Sequence, residues 1–340
     1  EEGLGKAIGQ WRSRGCPDYP TTIFYAFKQA ETDSNGTAST GWETFLTGVI
    51  DHGFAIAGTW PMRTELTGNL KKRVAALASS VVLACVPRDA AAPVATRREF
   101  LTALKRELPG ALEKLQSGNI APVDLAQAAI GPGMAVFSRY SKVVDAEGKT
   151  LRVRDALALI NQTLDETLAE QESDFDADTR WAVAWFEQYG FDEGAYGEAE
   201  TLSKAKNTSV AGLVEAGILE SSRGRVRLLR PEELPADWDP ETDPRLPVWE
   251  VVHHLIRVLE AGGETAAAEL VQKLGSKAET ARDLAYRLYT ICERKKRASD
   301  ALPYNALVQS WPEIVRLARE KNGQQQKQAE MAEIYAEIEE

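Results

Sequence analysis

Thr21-Thr-Ile-Phe-Tyr-Ala-Phe-Lys28, Ser39-Thr-Gly-Trp-Glu43, Phe54-Ala-Ile-Ala-Gly-Thr-Trp60 and Ser80-Val-Val-Leu-Ala-Cys-Val86 follow one another near the start of the chain. The first, third and fourth are short, nearly all-apolar runs, the pattern of strands covered on both faces. The second opens a helix. Thr40 and Glu43 have the spacing of a capping box, which satisfies two backbone donors that the helix itself leaves free. Trp42, Phe45, Leu46, Val49 and Ile50 fall on one helical face, and Gly53 is a natural stop. Strand, helix and strand in so short a span predict a crossover joining parallel strands. The last strand comes about twenty residues later, with room only for a short helix over Leu70 to Ala78. It reads as antiparallel to its neighbour.

Ligands of open α/β sheets sit at the carboxyl ends of the strands. Two polar clusters lie there: Lys28-Gln29 and Trp60-Pro-Met-Arg-Thr-Glu65. Residue types alone leave two readings open. Either Trp60 is core and Arg63 to Glu65 is a surface loop with an ion pair, or these residues meet a ligand.

The 340 residues suffice for two or three domains, and the apolar and charged fractions are those of a globular protein. No apolar run reaches the length of a membrane span. The first residues, Glu1-Glu-Gly-Leu-Gly-Lys6, lack the basic start and apolar core of a signal peptide. With no initiator Met and a strand close by, a trimmed or partial chain is expected. The net charge of −11 argues against a surface that coats nucleic acid nonspecifically, but leaves room for a local basic patch. Cys16, Cys85 and Cys292 are odd in number and far apart. They fit a reducing cytoplasm, with no disulfide framework and no zinc site.

Tyr25-Ala-Phe-Lys-Gln29, Ser39-Thr-Gly-Trp-Glu43, Gly58-Thr-Trp-Pro-Met-Arg-Thr-Glu65 and Ala76-Leu-Ala-Ser-Ser-Val-Val-Leu-Ala-Cys85 closely resemble the zinc-ribbon-containing family of adenine-specific DNA methylases. This prokaryotic family is often found beside large ATPases and helicases in defence loci. Leu284-Ala-Tyr-Arg-Leu-Tyr289 and Tyr304-Asn-Ala-Leu-Val-Gln-Ser-Trp-Pro312 look like its C-terminal tail. The resemblance implies methyl transfer from S-adenosylmethionine to the N6 amine of adenine in DNA. That chemistry needs a Gly-rich cofactor loop and an Asp/Asn-Pro-Pro-Tyr motif, whose polar groups hold the amine and whose ring stacks on the flipped base. Neither motif is present. Gly3-Leu-Gly5 and Gly131-Pro-Gly133 lack the strand-then-helix context, and Cys16-Pro-Asp-Tyr-Pro20 has the letters without the order. The family's layout puts both motifs upstream of Glu1. The chain is therefore expected to be the C-terminal part of a Rossmann-like methyltransferase, silent alone, with S-adenosylmethionine bound mainly by residues it lacks. Trp60 or Pro61 would contact the base or pack beneath it, and Arg63 would meet a phosphate. Lys28, Gln29, Thr64 and Glu65 complete this DNA-facing set. The implied partners are DNA, the upstream catalytic segment and a defence ATPase or helicase. The rival expectation is a noncatalytic adaptor.

The expected domains are 1–90 (catalytic sheet), 96–175 (helical), 176–230 (winged-helix-like), 231–247 (linker) and 248–340 (helical, with a charged tail). After the Ala/Pro-rich Ala90–Ala95, Phe100, Leu101, Leu104 and Leu108 mark a helix that Pro109-Gly110 should end. A further helix spans Asp124–Ala129, and Gly131-Pro-Gly133 should break the chain. Helices are predicted at 154–167 and 178–189, the second with Trp181 and Trp185 one turn apart, a spacing typical of core. Short helices at 194–205 and 208–216 then precede a hairpin of Ile218–Glu220 and Arg225–Leu229. That is the order of a winged helix. Arg223, Arg225, Arg227 and Arg230 would give it a basic wing, read equally well as phosphate contacts or as a solvated face. His253-His254 point about 100° apart on a helix, which disfavours shared metal binding.

Overall fold

The computed structural model describes residues 2–25, 40–63 and 79–339. Two compact units divide the chain, Glu1–Glu170 and Gln171–Glu340. The chain is mixed α/β and mostly helical.

The first unit opens with α1 (Glu2–Arg14), β1 (Thr21–Tyr25), α2 (Thr40–Asp51), β2 (Phe54–Arg63) and β3 (Ser79–Pro87). β3 lies between β1 and β2 and is antiparallel to both, so β1 and β2 run the same way. The parallel crossover and the antiparallel last strand both match the sequence reading. The crossover strands are not neighbours, however, because β3 fills the gap between them. Trp42, Phe45, Leu46, Val49 and Ile50 of α2 are all buried. Trp42 and Phe45 pack their rings on Tyr25 of β1, with centroids 4.6 and 5.0 Å away. Gly53 ends the helix with φ of +81°, a conformation that glycine adopts without a side-chain penalty. Ser39, Lys28, Gln29, Thr64, Glu65 and the span 70–78 lie outside the described residues.

One expectation fails at the end of β2. The sequence sets a loop over Pro61 to Glu65, but Pro61 to Arg63 continue the strand, pairing with Val81, Ser80 and Ser79. Among the described strands β2 is at the edge of the order β1-β3-β2, and an edge tolerates a proline that cannot donate to the ladder.

The unit continues with β4 (Val94–Thr96), α3 (Arg97–Ser117), α4 (Pro122–Ser138), β5 (Lys142–Val144) and α5 (Val153–Glu170); β4 and β5 pair in parallel. Thr96 and Glu99 form the capping box that starts α3. Two predicted breaks do not occur. α3 runs through Pro109 because its buried stripe of Phe100, Leu104 and Leu108 continues in Leu112 and Gln116. α4 likewise runs through Gly131-Pro132-Gly133. A Cβ on Gly131 would lie 1.6 Å from Thr59 Oγ1, and one on Gly133 2.6 Å from Ile160. These glycines let α4 approach β2 and α5 closely instead of ending the helix. At the far end of α4, the Ser138 hydroxyl accepts a hydrogen bond from the Ile56 amide at 2.8 Å. That contact lies beside the irregular pairing between Ile56 and Gly58.

The second unit begins with α6 (Ala177–Tyr189), β6 (Gly194–Ala195), α7 (Tyr196–Lys206), α8 (Val210–Glu215), β7 (Leu219–Ser222) and β8 (Arg225–Leu228). The strands form an antiparallel sheet in the order β6-β8-β7. Trp181 and Trp185 are buried and stacked 5.1 Å apart. Val226 and Leu228 point inward and alternate with Arg225 and Arg227, the period of a strand with one buried face. Residues 231–247 hold a single 3-10 turn, Pro231–Glu233, yet are bonded at several points. Trp238 stacks on His254 at 3.9 Å and donates to Asp243; Arg257 reaches the Pro235 carbonyl, and Lys273 reaches Asp239. Three helices follow, α9 (Val248–Leu274), α10 (Ser276–Arg294) and α11 (Ala298–Glu339). α9 is interrupted at Gly263, where φ is +69°. Leu284, Ala285, Leu288, Tyr289 and Cys292 fall on one face of α10 and are buried throughout.

Candidate nucleic-acid interface

β1 and β2 run in one direction, so their carboxyl ends lie on the same side of the sheet. Phe24 and Trp60 stand near those ends, each directly opposite Val82 of β3. Directly opposed residues project from the same face. Phe24 is 64% exposed, Trp60 56% and Met62, two residues on, 47%. The Trp60 ring lies back along Gly58, where an added Cβ would sit 3.1 Å from it. Trp60 is therefore not core. It is a supported aromatic surface beside Phe24. The side chains of Pro61 and Arg63 lie outside what is described.

The hairpin between β7 and β8 turns at Arg223-Gly224, with φ of +51° and +77°. Two positive φ values suit the right-handed twist of a tight hairpin. Its arginines differ sharply in what they meet. Arg227 lies opposite Glu220 in register and bonds Glu220 and Glu233, each at 2.7 Å. Its hydrogen bond to Glu233 raises the Arg227 pKa and holds the Glu233 carboxyl below its ordinary range. Arg230 reaches Asp300 at 3.4 Å and lies over the Phe191 ring. Arg225 has a looser contact with Glu193 at 3.6 Å. Arg223, at the tip, makes no ion pair among the described residues. Within the basic wing expected from sequence, Arg223 and Arg225 are thus the least engaged. Arg227 and Arg230 act as struts while remaining partly exposed. Helix α8 presents Ala211, Val214 and Glu215 outward and buries Val210, Gly212 and Leu213, so its free face is apolar and acidic.

Two clusters escaped the sequence reading. In the first unit, Arg98, Glu99, Thr102, Ala103, Arg106 and Tyr140 line an open groove of about 500 Å³. Its signal was the spacing of Arg98, Thr102 and Arg106, one helical turn apart each time. In the second unit, Glu250 and His254 are buried one turn apart on α9, with Glu250 Oε1 3.8 Å from His254 Nε2. Among the described residues, neither Glu250 Oε2 nor His254 Nε2 has a hydrogen-bond partner. Burial, with Asp243 nearby, raises the Glu250 pKa to about 8. Burial, aided by Arg257 and His253, lowers that of His254 to about 3. His253 is buried too, with its pKa lowered to about 4. It donates through Nδ1 to the Trp249 carbonyl and accepts from the Tyr304 hydroxyl. These are the bonds of a neutral imidazole.

No curated protein and no solved structure matches the chain. Residues 176–331, from α6 into α11, match the family model of a domain of unknown function (DUF8807).

Proposed function

We propose that this chain is the C-terminal part of an S-adenosylmethionine-dependent DNA adenine N6-methyltransferase. One observation carries the reading. Phe24 and Trp60 stand exposed and aligned at the carboxyl ends of two same-direction strands, where open α/β sheets take their ligands. The arrangement of β1 to β3 supports it: a same-direction pair with one antiparallel strand set between them fits the margin of a mixed, largely parallel, Rossmann-like sheet. Trp60 has the ring, exposure and backing to contact a base taken out of the DNA stack, and Arg63 follows it on the same strand. No residue of this chain is assigned to the cofactor. In the second unit, the order α6, β6, α7, α8, β7, β8 suits a winged-helix module.

The chain alone transfers no methyl group on this reading. Mixing it with a polypeptide that carries the Gly-rich loop and the Asp/Asn-Pro-Pro-Tyr motif yields N6-methyladenine in duplex DNA. Transfer is followed with tritiated S-adenosylmethionine and the product identified by mass spectrometry. A folded mixture that binds DNA but never methylates it would overturn the reading.

One finding favours the rival, a noncatalytic adaptor for a protein partner such as a defence ATPase or helicase. The outward face of α8 is apolar and acidic, and two of the wing's arginines are already paired. Stable capture of such a partner, with neither DNA nor cofactor affinity, would support the adaptor.

A further inference from the structure

Residues 88–154 invert the charge of the chain as a whole. They hold eleven Lys and Arg against seven Asp and Glu, in a protein whose net charge is −11. Part of this excess gathers at the groove between the start of α3 and the end of α4. Arg98, Thr102 and Arg106 form an exposed stripe along α3, the buried Ala103 lies in the floor, and Tyr140 closes the far side. Arg139 and Lys142 flank Tyr140 and are exposed.

The two carboxylates at the groove are already engaged. Glu99 Oε2 accepts from the Thr96 amide at 2.7 Å and from its hydroxyl at 2.9 Å, which turns it toward the helix start. Glu107 is shared by Arg106 at 2.8 Å and Arg139 at 2.5 Å. Three arginines, at 98, 106 and 139, therefore stand against two carboxylates at the groove. Arg97 and Arg98 form no ion pair among the described residues. A helix rises 1.5 Å per residue, so Arg98 and Arg106 stand about 12 Å apart along the surface. One DNA strand carries a phosphate per roughly 3.4 Å of helix axis, so that span covers about three phosphates.

We propose that the α3–α4 groove binds the phosphodiester backbone of nucleic acid, with Arg98 and Arg106 on two phosphates separated by that span and Tyr140 against the sugar edge between them. The choice of duplex DNA as the polymer rests on the methyltransferase reading; the charge and shape of the groove do not. Such contacts position a duplex without reading its sequence.

The test is fluorescence anisotropy with the full chain, a labelled random-sequence duplex of about 20 base pairs and a series of salt concentrations. Two variants are compared, R98A/R106A and the charge-conserving R98K/R106K. The expected result is at least tenfold weaker binding for R98A/R106A and a log–log salt slope shallower by about 2, since each lost phosphate contact removes close to one unit. R98K/R106K keeps most of the affinity and the slope. Unchanged thermal unfolding confirms that both variants fold. Unchanged affinity and slope in R98A/R106A would overturn the proposal, as would a wild-type chain with no salt-dependent duplex binding. A single-stranded RNA of equal length and heparin are run alongside. Equal loss on RNA supports a phosphate groove and removes only the preference for DNA. Heparin affinity that is high and insensitive to both variants, with duplex affinity equally insensitive, overturns it. The groove stands or falls on these affinities whether or not methyl transfer is reconstituted, so failure of one claim is distinct from failure of the other.

Discussion

Replacing Glu250 by Gln removes one buried proton and leaves the volume of the side chain nearly unchanged. Glu250 is 3% exposed, and burial lifts its pKa from 4.5 to about 8. Unfolded, it ionises above 4.5; folded, it keeps its proton to about 8. Stability is therefore fully present below 4.5 and is lost as pH rises toward 8, by about 1.4 kcal/mol per pH unit. At pH 7 the gap of roughly 2.5 pH units corresponds to at most about 3 kcal/mol. His253 and His254 act on the other limb. Their pKa values fall from 6.5 to about 4 and about 3, so stability is lost as pH drops through that range. Glu250 thus opposes the two histidines, destabilising the fold as pH rises where they destabilise it as pH falls. E250Q should be the more stable protein at pH 7, with the advantage shrinking to nothing near pH 4.5. Its stability should be flat between pH 7 and 8, where the wild type declines. Urea unfolding followed by tryptophan fluorescence at pH 5, 6, 7 and 8 measures both curves. A constant difference between the two proteins across that range would refute the reasoning.

Three further outcomes are expected. Gly131→Ala forces a methyl group into Thr59 and should destabilise the first unit by about 1–3 kcal/mol; Thr59→Ala in the same chain should recover part of that loss in denaturant titrations. Arg227→Ala should lower the stability of the second unit by about 1 kcal/mol, because Glu220 and Glu233 lose a shared partner. It should leave duplex affinity unchanged, whereas Arg223→Ala weakens it, and a drop for Arg227→Ala alone would show that the strut assignment is wrong. Trp60→Ala should shift thermal unfolding by less than about 0.5 kcal/mol, since the ring is largely exposed. In the reconstituted enzyme it should sharply reduce methyl transfer, and full activity would remove Trp60 from the site.

The amphipathic elements were legible because their information is local. The face of Trp42, Phe45, Leu46, Val49 and Ile50 follows from 3.6-residue spacing, and the inward Val226 and Leu228 follow from alternation. Pro109 and Gly131-Pro132-Gly133 misled for the complementary reason. Their meaning depends on partners distant in sequence: the stripe that continues to Leu112 and Gln116, and Thr59 and Ile160 pressing on the glycines. Proline and glycine penalties of a few kcal/mol are offset when tertiary packing needs the helix to go on. The β7–β8 register sets Glu220 opposite Arg227, so half of that strut could have been read once the hairpin was drawn. The α3–α4 groove could not, because Tyr140 stands more than thirty residues from the arginine stripe it faces.

Residues 231–247 have the Pro, Asp and Glu content of a loose tether, yet they are laced to the helix that follows. Trp238 lies flat on His254, and Arg257 and Lys273 hold Pro235 and Asp239. Arg245 reaches back to Asp178 at 2.6 Å, which also ties the segment to α6. Such a strap has a fixed length. The segment is therefore a brace between α6 and α9 and not slack between them, and a flexible insertion near Trp238 would cost its contacts and not merely lengthen a tether.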